Sequence, residues 1–449
     1  MFSRVLVANR GEVAVRVIRA LHELGIEAVA VYSTADAGAL HTRLADRAVC
    51  IGPPSAAESY LNVSSVVAAG ETTGCDAVHP GWGFLAEIPE FVRACEANDL
   101  VFIGPDADVM TRMGDKVEAK RELAAAGVPL VTGTDAVEAD EARAAAADIG
   151  YPVLLKASAG GGGKGMRAVE APDELDASFE RASAEALAAF GDGSIYLEKL
   201  ISPARHIEIQ VLCDADGGVL TLGERECSIQ RRHQKLIEES PSPALDEQTR
   251  EAMETDVTRA CRAIGYLNAG TFEFLLAPDG SYYFIELNAR LQVEHPVSEL
   301  VTGIDIVREQ LHIAAGEQLA TTGRAPRRGH AIEVRLNAED PSRGFAPAPG
   351  VIERFRPPLG PGIRLDTHVE EGAVIPPYYD SLLAKLIVWD ETRPFAIERG
   401  LRGLRELELR GIATTRNVAA EILDSEEFRS GRYSTSFLDE KRLATVGSA

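Results

Sequence analysis

The sequence is poor in cysteine, in aromatic residues and in positive charge. Its 449 residues include 6 cysteines and 6% aromatic residues, and 46 Lys and Arg stand against 69 Asp and Glu, which gives a formal net charge of -23. A chain this acidic has no general affinity for nucleic acid or for an anionic membrane surface, so a polyanionic ligand must be met by a local basic pocket. We therefore expect neither nucleic acid nor membrane as a partner.

The cysteines are too sparse and too scattered for a disulfide framework, and no two of them form a CxxC pair. The sequence also lacks a run of about 18 apolar residues that could cross a membrane, and its N-terminus lacks the apolar stretch of a signal peptide. We expect reduced, mostly buried thiols and a cytoplasmic protein. The cysteines are Cys50, Cys75, Cys95, Cys213, Cys227 and Cys261.

A dinucleotide fingerprint is missing from the place where it would be expected. Residues 4–104 alternate short apolar strands with amphipathic helices, which predicts a doubly wound parallel sheet. The turn after the first strand is Asn9-Arg10-Gly11-Glu12 and contains no GxGxxG motif. A NAD-dependent dehydrogenase is therefore a weak alternative.

Four consecutive glycines, 160–163, follow a predicted strand that ends at Lys156. Glycines let backbone N–H groups approach anionic oxygens, and Lys164 adds a positive charge, so this tract is expected to cover phosphates. It is not a Walker A loop, because Gly165 stands where Ser or Thr is required. Lys156 and Lys116 are candidate phosphate ligands, although a flexible surface loop and a solvated lysine are the plainer alternatives.

A predicted β-hairpin carries the second group of polar residues. Residues 271–276 and 282–288 form its strands, and Pro278-Asp279-Gly280 forms its turn. Residues two apart on a strand share a face, so Glu286 and Asn288 project together and Glu273 can lie beside them. Such oxygen ligands suit magnesium, whereas a polar face turned to solvent is the alternative.

The residues directly after the hairpin can bind and activate a small anion. Arg290 offers a bidentate fork and Glu294 can take a proton, with Gln292 and His295 nearby. Before the hairpin, strands are predicted over 206–222, followed by a polar stretch whose basic end, 230–235, adds donors or is simply a solvated run. From residue 329 onward, strands, Pro/Gly turns and one late helix near 395–407 predict an α+β unit.

Taken in order, these motifs resemble biotin carboxylase along nearly the whole chain. The resemblance implies an α/β and α+β fold with three domains. A Rossmann-like N-terminal doubly wound parallel sheet spans 1–115, a central ATP-grasp domain with a mobile glycine-rich lid (about 134–203) spans 116–330, and a C-terminal α+β domain spans 331–446. The motifs are VANRGE, HPGWGFLAE, LLKASAGGGGKGM, EKLISPARHIEIQ, ERECSIQRRHQK, FIELNARLQVEHPVSE, EVRLNAEDP and PPYYDSLLAKLI.

The resemblance also implies site residues. ATP would be bound by Lys116, Lys156, Gly162, Gly163, Glu198, Lys199, Ile201, His206, Gln230, His233, Glu273 and Glu286. Magnesium or manganese would be held by Glu273, Glu286 and Asn288, and bicarbonate by Lys235, Arg290, Gln292, Val293 and Glu294. Biotin would lie against Trp82 and Arg335. The implied catalytic residues are Glu294 as general base, Arg335 as stabiliser of the ureido oxyanion, and Arg290 and Lys235.

The activity that the resemblance implies is carboxylation of biotin by ATP and bicarbonate through carboxyphosphate, the first half-reaction of an acyl-CoA carboxylase. The sequence contains no Met-Lys-Met biotinylation motif, so we expect a separate biotin carboxyl carrier protein and a separate carboxyltransferase subunit. The resemblance also implies a homodimer. Acetyl-CoA, for fatty acid synthesis, is the default acceptor. A different ATP-grasp ligase that forms an acyl phosphate is the main alternative, and a nucleotide-sensing regulatory protein is a weaker one.

The chain departs from the family at a few positions. Trp82 stands where family members usually have Tyr, Ala86 and Ile88 stand where they usually have Ser and Asn, and Ala159 stands where Gly usually opens the glycine tract. An indole has more bulk than a phenol and lacks its hydroxyl. We therefore expect an altered affinity for free biotin with the chemical step retained.

Overall fold

The computed structural model describes residues 1–158 and 166–441. Within these ranges, no helix combines the length and the apolar character needed to cross a bilayer. All six cysteines lie in them, and all six are free thiols, with Cys50 exposed and the other five buried. The predicted ATP contacts Gly162 and Gly163, and also Ala159, lie outside the described residues.

The N-terminal part is a five-stranded sheet in which all neighbouring strands are parallel, in the order β3-β2-β1-β4-β5. The apolar side chains of β1 are fully buried, and α1 packs its apolar face on the sheet. This confirms the predicted doubly wound sheet. Its elements are β1 (Arg4–Val7), α1 (Gly11–Glu23), β2 (Glu27–Ser33), α2 (Leu40–Leu44), β3 (Arg47–Gly52), α3 (Val63–Thr73), β4 (Ala77–His79), α4 (Pro89–Glu96), β5 (Val101–Phe102) and α5 (Ala107–Gly114).

The predicted lid region is a small unit with its own core. After α6 (Lys116–Ala125), four antiparallel strands form a sheet in the order β6-β9-β7-β8, and two helices cover it. Val153, Leu155 and Leu197 of the sheet pack against Ala146 and Phe179 of the helices. The elements are β6 (Gly133–Val137), α7 (Ala139–Ile149), β7 (Val153–Ala157), β8 (Arg167–Val169), α8 (Leu175–Phe190) and β9 (Ile195–Lys199).

The largest sheet runs without interruption across the predicted domain boundary near residue 330. Its order is β14-β13-β10-β11-β12-β16-β23-β21, and β15 pairs with β11. The division into three domains therefore stays a prediction. The elements are β10 (Arg205–Cys213), β11 (Val219–Arg231), β12 (Gln234–Ser240), α9 (Glu247–Ile264), β13 (Asn268–Leu276), β14 (Tyr282–Asn288), α10 (His295–Thr302), α11 (Ile306–Ala314), β15 (Gly323–Arg324) and β16 (His330–Asn337).

The C-terminal part has more helices than predicted. Beside α12, the structure contains three further short helices, so the expectation of one late helix was wrong. These helices are stabilised by packing their apolar residues on α12 and the sheet rather than by intrinsic propensity. The elements are β17 (Glu339–Asp340), β18 (Ala346–Pro347), β19 (Gly350–Val351), β20 (Arg354–Arg356), β21 (Ile363–Thr367), β22 (Val374–Ile375), β23 (Leu382–Asp390), α12 (Arg393–Glu406), β24 (Glu408–Arg410), α13 (Arg416–Asp424), α14 (Glu426–Arg429) and α15 (Phe437–Lys441).

The polar stretch after residue 222 is not a break between strands. β11 continues through it to Arg231 with almost every residue buried. Its charged residues pair with other protein groups instead of water: Arg225 donates to Glu208 at 2.5 Å and to Gln210 at 2.7 Å. Polar groups can be buried where each has a partner. Contrary to our expectation, the polar sequence of this stretch therefore does not mark the end of a strand.

A buried carboxylate, Glu239 on β12, holds the C-terminal helices to the large sheet. His330 Nε2 lies 2.5 Å from its Oε2, Arg393 donates to both oxygens at 2.7 and 2.9 Å, and the Tyr433 hydroxyl also donates to it. Burial opposes ionisation, but His330 and Arg393 outweigh it and lower the pKa of Glu239 from 4.5 to about 2.

We expect Glu239→Gln to reduce the acid sensitivity of the fold. Because the folded pKa lies below the unfolded one, the stability from Glu239 is fully present above pH 4.5 and is lost as the pH falls toward 2. The contribution is about 3 kcal/mol. Thermal melting between pH 3 and 7 should show a less stable variant at pH 7 with a flatter acid limb. The control Glu353→Gln, at an exposed residue, should leave the stability at pH 7 and the acid limb unchanged. If Glu239→Gln has the same acid limb as the wild type, Glu239 is not the source of this acid sensitivity.

Candidate active site

One cavity of about 770 Å³ lies where the lid unit, the hairpin β13–β14 and the edge of the large sheet meet. It is lined by every site residue that the family resemblance implies and the structure describes, although these come from widely separated parts of the chain. These residues are Trp82, Lys116, Lys156, Glu198, Lys199, Ile201, His206, Gln230, His233, Lys235, Glu273, Glu286, Asn288, Arg290, Gln292, Val293, Glu294 and Arg335. His295, which the sequence also suggested, is fully buried and does not line the cavity.

The lid side of the cavity is lined with lysines. Lys156 on β7 lies 3.0 Å from Glu198 on β9, and Lys120 of α6 binds the same carboxylate. Lys116 forms no ion pair with any residue in the described ranges, and its pKa is lowered by burial and by the positive charge of Lys156. An ammonium group with no ion-pair partner in the described part of the chain is available to an anionic ligand. Lys199 differs, because its ammonium group is held by the carbonyls of Gly150 and Tyr151, both at 2.9 Å.

A tight turn places His233 at the mouth of the cavity. β11 and β12 are joined by Arg232 and His233, which both have positive φ values of 48° and 67°. A two-residue hairpin turn with both residues in this region matches the right-handed twist of the strands, but side chains with a Cβ adopt it at a cost. The turn brings Gln230 and Lys235 into register on neighbouring strands, so both line the cavity.

The hairpin places two carboxylates opposite each other, as predicted. Glu273 of β13 is the register partner of Glu286 of β14, and Asn288 Nδ2 donates to Glu273 at 2.9 Å. Burial and the negative charge of Glu273 raise the pKa of Glu286. Glu273 is neutralised by Lys235 and by His206, whose Nε2 lies 3.0 Å away. A pair of carboxylates that repel one another, beside an amide, fits a divalent cation.

Lys235 is the electrostatic centre of the cavity. Its Nζ lies 2.6 Å from Glu208, 2.9 Å from Glu273 and 2.6 Å from Glu294. Burial opposes its charge, but the three carboxylates outweigh this and raise the pKa of Lys235 well above its ordinary value. The ammonium group therefore stays charged and joins the carboxylate pair of the hairpin to Glu294.

Glu294 is fully buried at the start of α10. One of its oxygens faces Lys235, and the other accepts a hydrogen bond from Arg335 at 2.8 Å. Burial would disfavour the carboxylate, but Lys235, Arg335 and Arg225 outweigh it and lower the pKa of Glu294 well below its ordinary value. Glu294 is therefore an ionised carboxylate at the base of the cavity.

Arg290 is oriented by three side chains and by the backbone carbonyl of Leu291. Its Nε donates to Glu87 at 2.8 Å, and its two terminal nitrogens donate to Gln292 at 3.2 Å and to Asn288 at 2.9 Å. Glu87 also accepts a hydrogen bond from the backbone N–H of Ala289 at 2.9 Å. Glu87 therefore fixes both the main chain and the side chain at this point, which leaves the guanidinium group facing the cavity.

Arg335 lies between two buried carboxylates. Its Nε donates to Glu238 at 2.5 Å, and its Nη2 donates to Glu294 at 2.8 Å. Burial raises the pKa of Glu238 to about 7, although Arg335 opposes the shift. Arg335 and Lys235 therefore contact different oxygens of the Glu294 carboxylate.

Trp82 lines both this cavity and a second one of about 320 Å³. Its loop is held by Asn9, whose Nδ2 donates to the carbonyls of Pro80 at 2.7 Å and Trp82 at 2.8 Å. Gly81 in this loop has φ +65°, and a Cβ there would lie 2.9 Å from Asn9 Nδ2. The indole Nε1 donates to buried Glu12 at 3.0 Å.

Sequence reasoning missed several residues that position the predicted ones. Their signal was weak, because charged residues that alternate with apolar ones on a strand usually face solvent. Here both faces of the large sheet are covered, so the polar face of β10 lies inside the protein. The missed residues are Glu12, Glu87, Lys120, Glu208, Glu238 and Lys385.

Family models match almost the whole chain. The model described as "Biotin carboxylase, N-terminal domain" matches residues 1–110, and "Carbamoyl-phosphate synthase L chain, ATP binding domain" matches 115–322. "Biotin carboxylase C-terminal domain" matches 333–440.

Full-length relatives are similar along the same extent. A biotin carboxylase from Nostoc sp. is 52% identical over 442 residues, which cover 98% of this chain and 99% of that protein. One of the pyruvate carboxylase subunits of Methanothermobacter thermautotrophicus is 50% identical over 445 residues, 98% of this chain and 90% of that protein. The biotin carboxylase domain dimer of Hydrogenobacter thermophilus 2-oxoglutarate carboxylase, solved with MgADP, ADP and bicarbonate, is 47% identical, with a TM-score of 0.95 and 100% of both chains covered.

Proposed function

This chain belongs to the biotin carboxylase family of ATP-dependent ligases, and we propose that its main cavity carboxylates biotin by way of carboxyphosphate. The observation that carries the proposal is the position of Glu294. This ionised carboxylate is held by Lys235 and Arg335 and lies beside Arg290, in the same cavity as the carboxylate pair of the hairpin.

In this proposal, Lys235, Arg290, Gln292 and the backbone of Val293 hold bicarbonate, and Glu294 takes its proton. A carboxylate with a strongly lowered pKa is a weak base. Lys235 and Arg335 lower the pKa of Glu294. When either side chain turns from Glu294 toward a substrate anion, the pKa of Glu294 rises and it becomes a stronger base. Deprotonated bicarbonate then attacks the γ-phosphorus of ATP, and ADP leaves.

The residues on the lid side would bind the nucleotide. Lys116 meets phosphate without first losing an ion-pair partner from residues 1–158 or 166–441. Lys156 exchanges Glu198 for phosphate and leaves Lys120 to neutralise that carboxylate. Glu273, Glu286 and Asn288 would hold magnesium, which neutralises phosphate charge when bound. Lys199 would contribute its backbone, because its ammonium group is already engaged.

Carboxyphosphate that decomposes in a closed cavity yields carbon dioxide and phosphate. The phosphate takes the N1 proton of biotin, and N1 then attacks carbon dioxide. We propose that Arg335 stabilises the ureido oxyanion and that Trp82 forms the wall against which the biotin ring lies. Exclusion of water protects the short-lived mixed anhydride.

The partners and the acceptor belong to the same proposal. We propose a homodimeric assembly, a separate biotin carboxyl carrier protein and carboxyltransferase, and a cytoplasmic location, the last supported by the six free thiols. We propose acetyl-CoA, for fatty acid synthesis, as the final acceptor. The relatives' names include pyruvate and 2-oxoglutarate carboxylases. The acceptor is identified by mixing carboxylated carrier and the co-purifying carboxyltransferase with acetyl-CoA, pyruvate or 2-oxoglutarate in turn, and measuring which of the three is carboxylated.

The test is ADP release from MgATP and bicarbonate, with and without free biotin. We expect strong stimulation by biotin, and we expect Arg335→Ala to lower carboxybiotin formation by about 100-fold or more, the usual cost of removing one donor to a developing oxyanion. Exposed Arg343→Ala is the matched control and should retain the wild-type rate. Wild-type ATP turnover indifferent to biotin and bicarbonate would instead indicate an ATP-grasp ligase for another carboxylate.

A further inference from the structure

Lys385 of β23 is a fully buried lysine that lies just behind the cavity. Burying an ammonium group is costly, and an apolar side chain of similar size would pack at this position without that cost. The role of Lys385 must therefore lie in the groups that its ammonium group contacts. Lys385 is also the register partner of Arg335 on β16, so it is the next residue across the sheet from the proposed oxyanion stabiliser.

The ammonium group of Lys385 holds two parts of the site at once. Its Nζ donates to the backbone carbonyl of Val293 at 2.8 Å, in the loop that ends at Glu294. The same Nζ lies 3.1 Å from Glu12 Oε2, and the other oxygen of Glu12 accepts the indole N–H of Trp82 at 3.0 Å. A continuous path, Trp82–Glu12–Lys385–Val293, thus joins the two sides of the cavity.

Trp82 needs such an anchor. Trp82 lines both cavities and is only partly buried where it packs against the core around α1. Glu12 is its hydrogen-bond acceptor in the described part of the chain. Glu12 in turn is 3% exposed in the first turn of α1, where the helix dipole also favours a carboxylate. The Glu12–Lys385 pair therefore contributes the polar contact that fixes the orientation of the indole.

We propose that Lys385 is a positioning residue that sets the separation between the biotin wall and the bicarbonate loop. The proposal rests on the proposed function for the identity of the two ligands. It predicts that loss of the Glu12–Lys385 pair weakens use of biotin and bicarbonate together, because both subsites lose the same anchor. The nucleotide side is held by other residues and should be unaffected.

The test uses the double variant Glu12→Gln/Lys385→Met, which removes both charges of the pair at similar volume, while Asp366, 3.8 Å from Lys385, keeps its ion pair with Arg364. We expect KM for biotin and for bicarbonate to rise on the order of tenfold, the loss of about one charge-assisted hydrogen bond. KM for ATP should stay within about twofold, and less carboxybiotin should form per ADP released. A uniform fall in kcat with unchanged KM values would overturn the proposal, because that is the result expected of a merely structural pair.

A spectroscopic measurement examines the same arrangement without relying on activity. The chain has two tryptophans, Trp82 and Trp389, so Trp389→Phe leaves Trp82 as the single indole. In this background we expect the double variant to make Trp82 emission more accessible to acrylamide. If the double variant does not fold, the single variant Glu12→Gln is used in the kinetic and the quenching measurements. It retains an acceptor for Trp82 and removes only the charge that faces Lys385.

The outcomes separate the two proposals. A wild-type protein that forms no carboxybiotin contradicts the proposed function, while the quenching measurement still judges the role of Lys385. A wild-type protein that carboxylates biotin, together with a folded double variant whose KM values and quenching are unchanged, contradicts the role of Lys385 alone.

Discussion

Glu294→Gln is expected to lower bicarbonate-dependent ADP release and carboxybiotin formation by about 2 to 4 orders of magnitude, the usual contribution of a general base. Glutamine has nearly the same shape but cannot take a proton. It also removes the negative charge that Lys235 and Arg335 share, at 2.6 and 2.8 Å. Steady-state assays at saturating MgATP and bicarbonate measure the effect.

The matched control is Glu96→Gln, the same change at an exposed residue at the end of α4, which should retain wild-type rates. KM for ATP in Glu294→Gln should remain near that of the wild type, because the nucleotide side of the cavity is untouched. A variant that keeps more than about a tenth of wild-type turnover would rule out Glu294 as the general base.

Lys235→Met should affect both stability and activity. The ammonium group neutralises Glu208, Glu273 and Glu294, and its loss leaves these buried carboxylates without their shared counterion. Breaking a buried ion pair from one side costs about 3–5 kcal/mol. We expect a clearly lower melting temperature and a loss of activity at least as large as that of Glu294→Gln.

Lys116→Met provides the control for this prediction, because it is the same substitution in the same cavity. Lys116 forms no ion pair within the described ranges and has a lowered pKa, so its loss should leave the melting temperature unchanged or higher while KM for ATP rises. Equal melting temperatures for the two variants would contradict the view that Lys235 is the electrostatic centre of the site.

The sequence predicted those parts of the site that depend on local spacing. The facing of Glu273 and Glu286 follows from strand alternation and a hairpin turn, and both are present. The basic residues between 230 and 235 were open to two interpretations, and only the pairing of β11 with β12 brings Lys235 into the cavity.

Residues whose role depends on distant partners could not be predicted. Lys385 lies within an apolar strand, and its acceptor Val293 is 92 residues away in the sequence. Nothing near Lys385 in the sequence indicates that partner. The same holds for Glu87, which contacts Arg290 across 203 residues. Contacts between residues far apart in the sequence form only when whole helices and sheets pack together. The local pattern of apolar and polar residues therefore does not predict them.

The uninterrupted large sheet limits how this protein can be divided. β12 and β16 share a ladder of backbone hydrogen bonds, with Glu238 opposite Glu333. A polypeptide that stopped at the boundary suggested by the sequence motifs would expose the edge of β12, and an uncovered strand edge is a template for aggregation. We therefore expect the chain from β10 to β23 to behave as a single piece when it is expressed, fused to other proteins or exchanged between homologues.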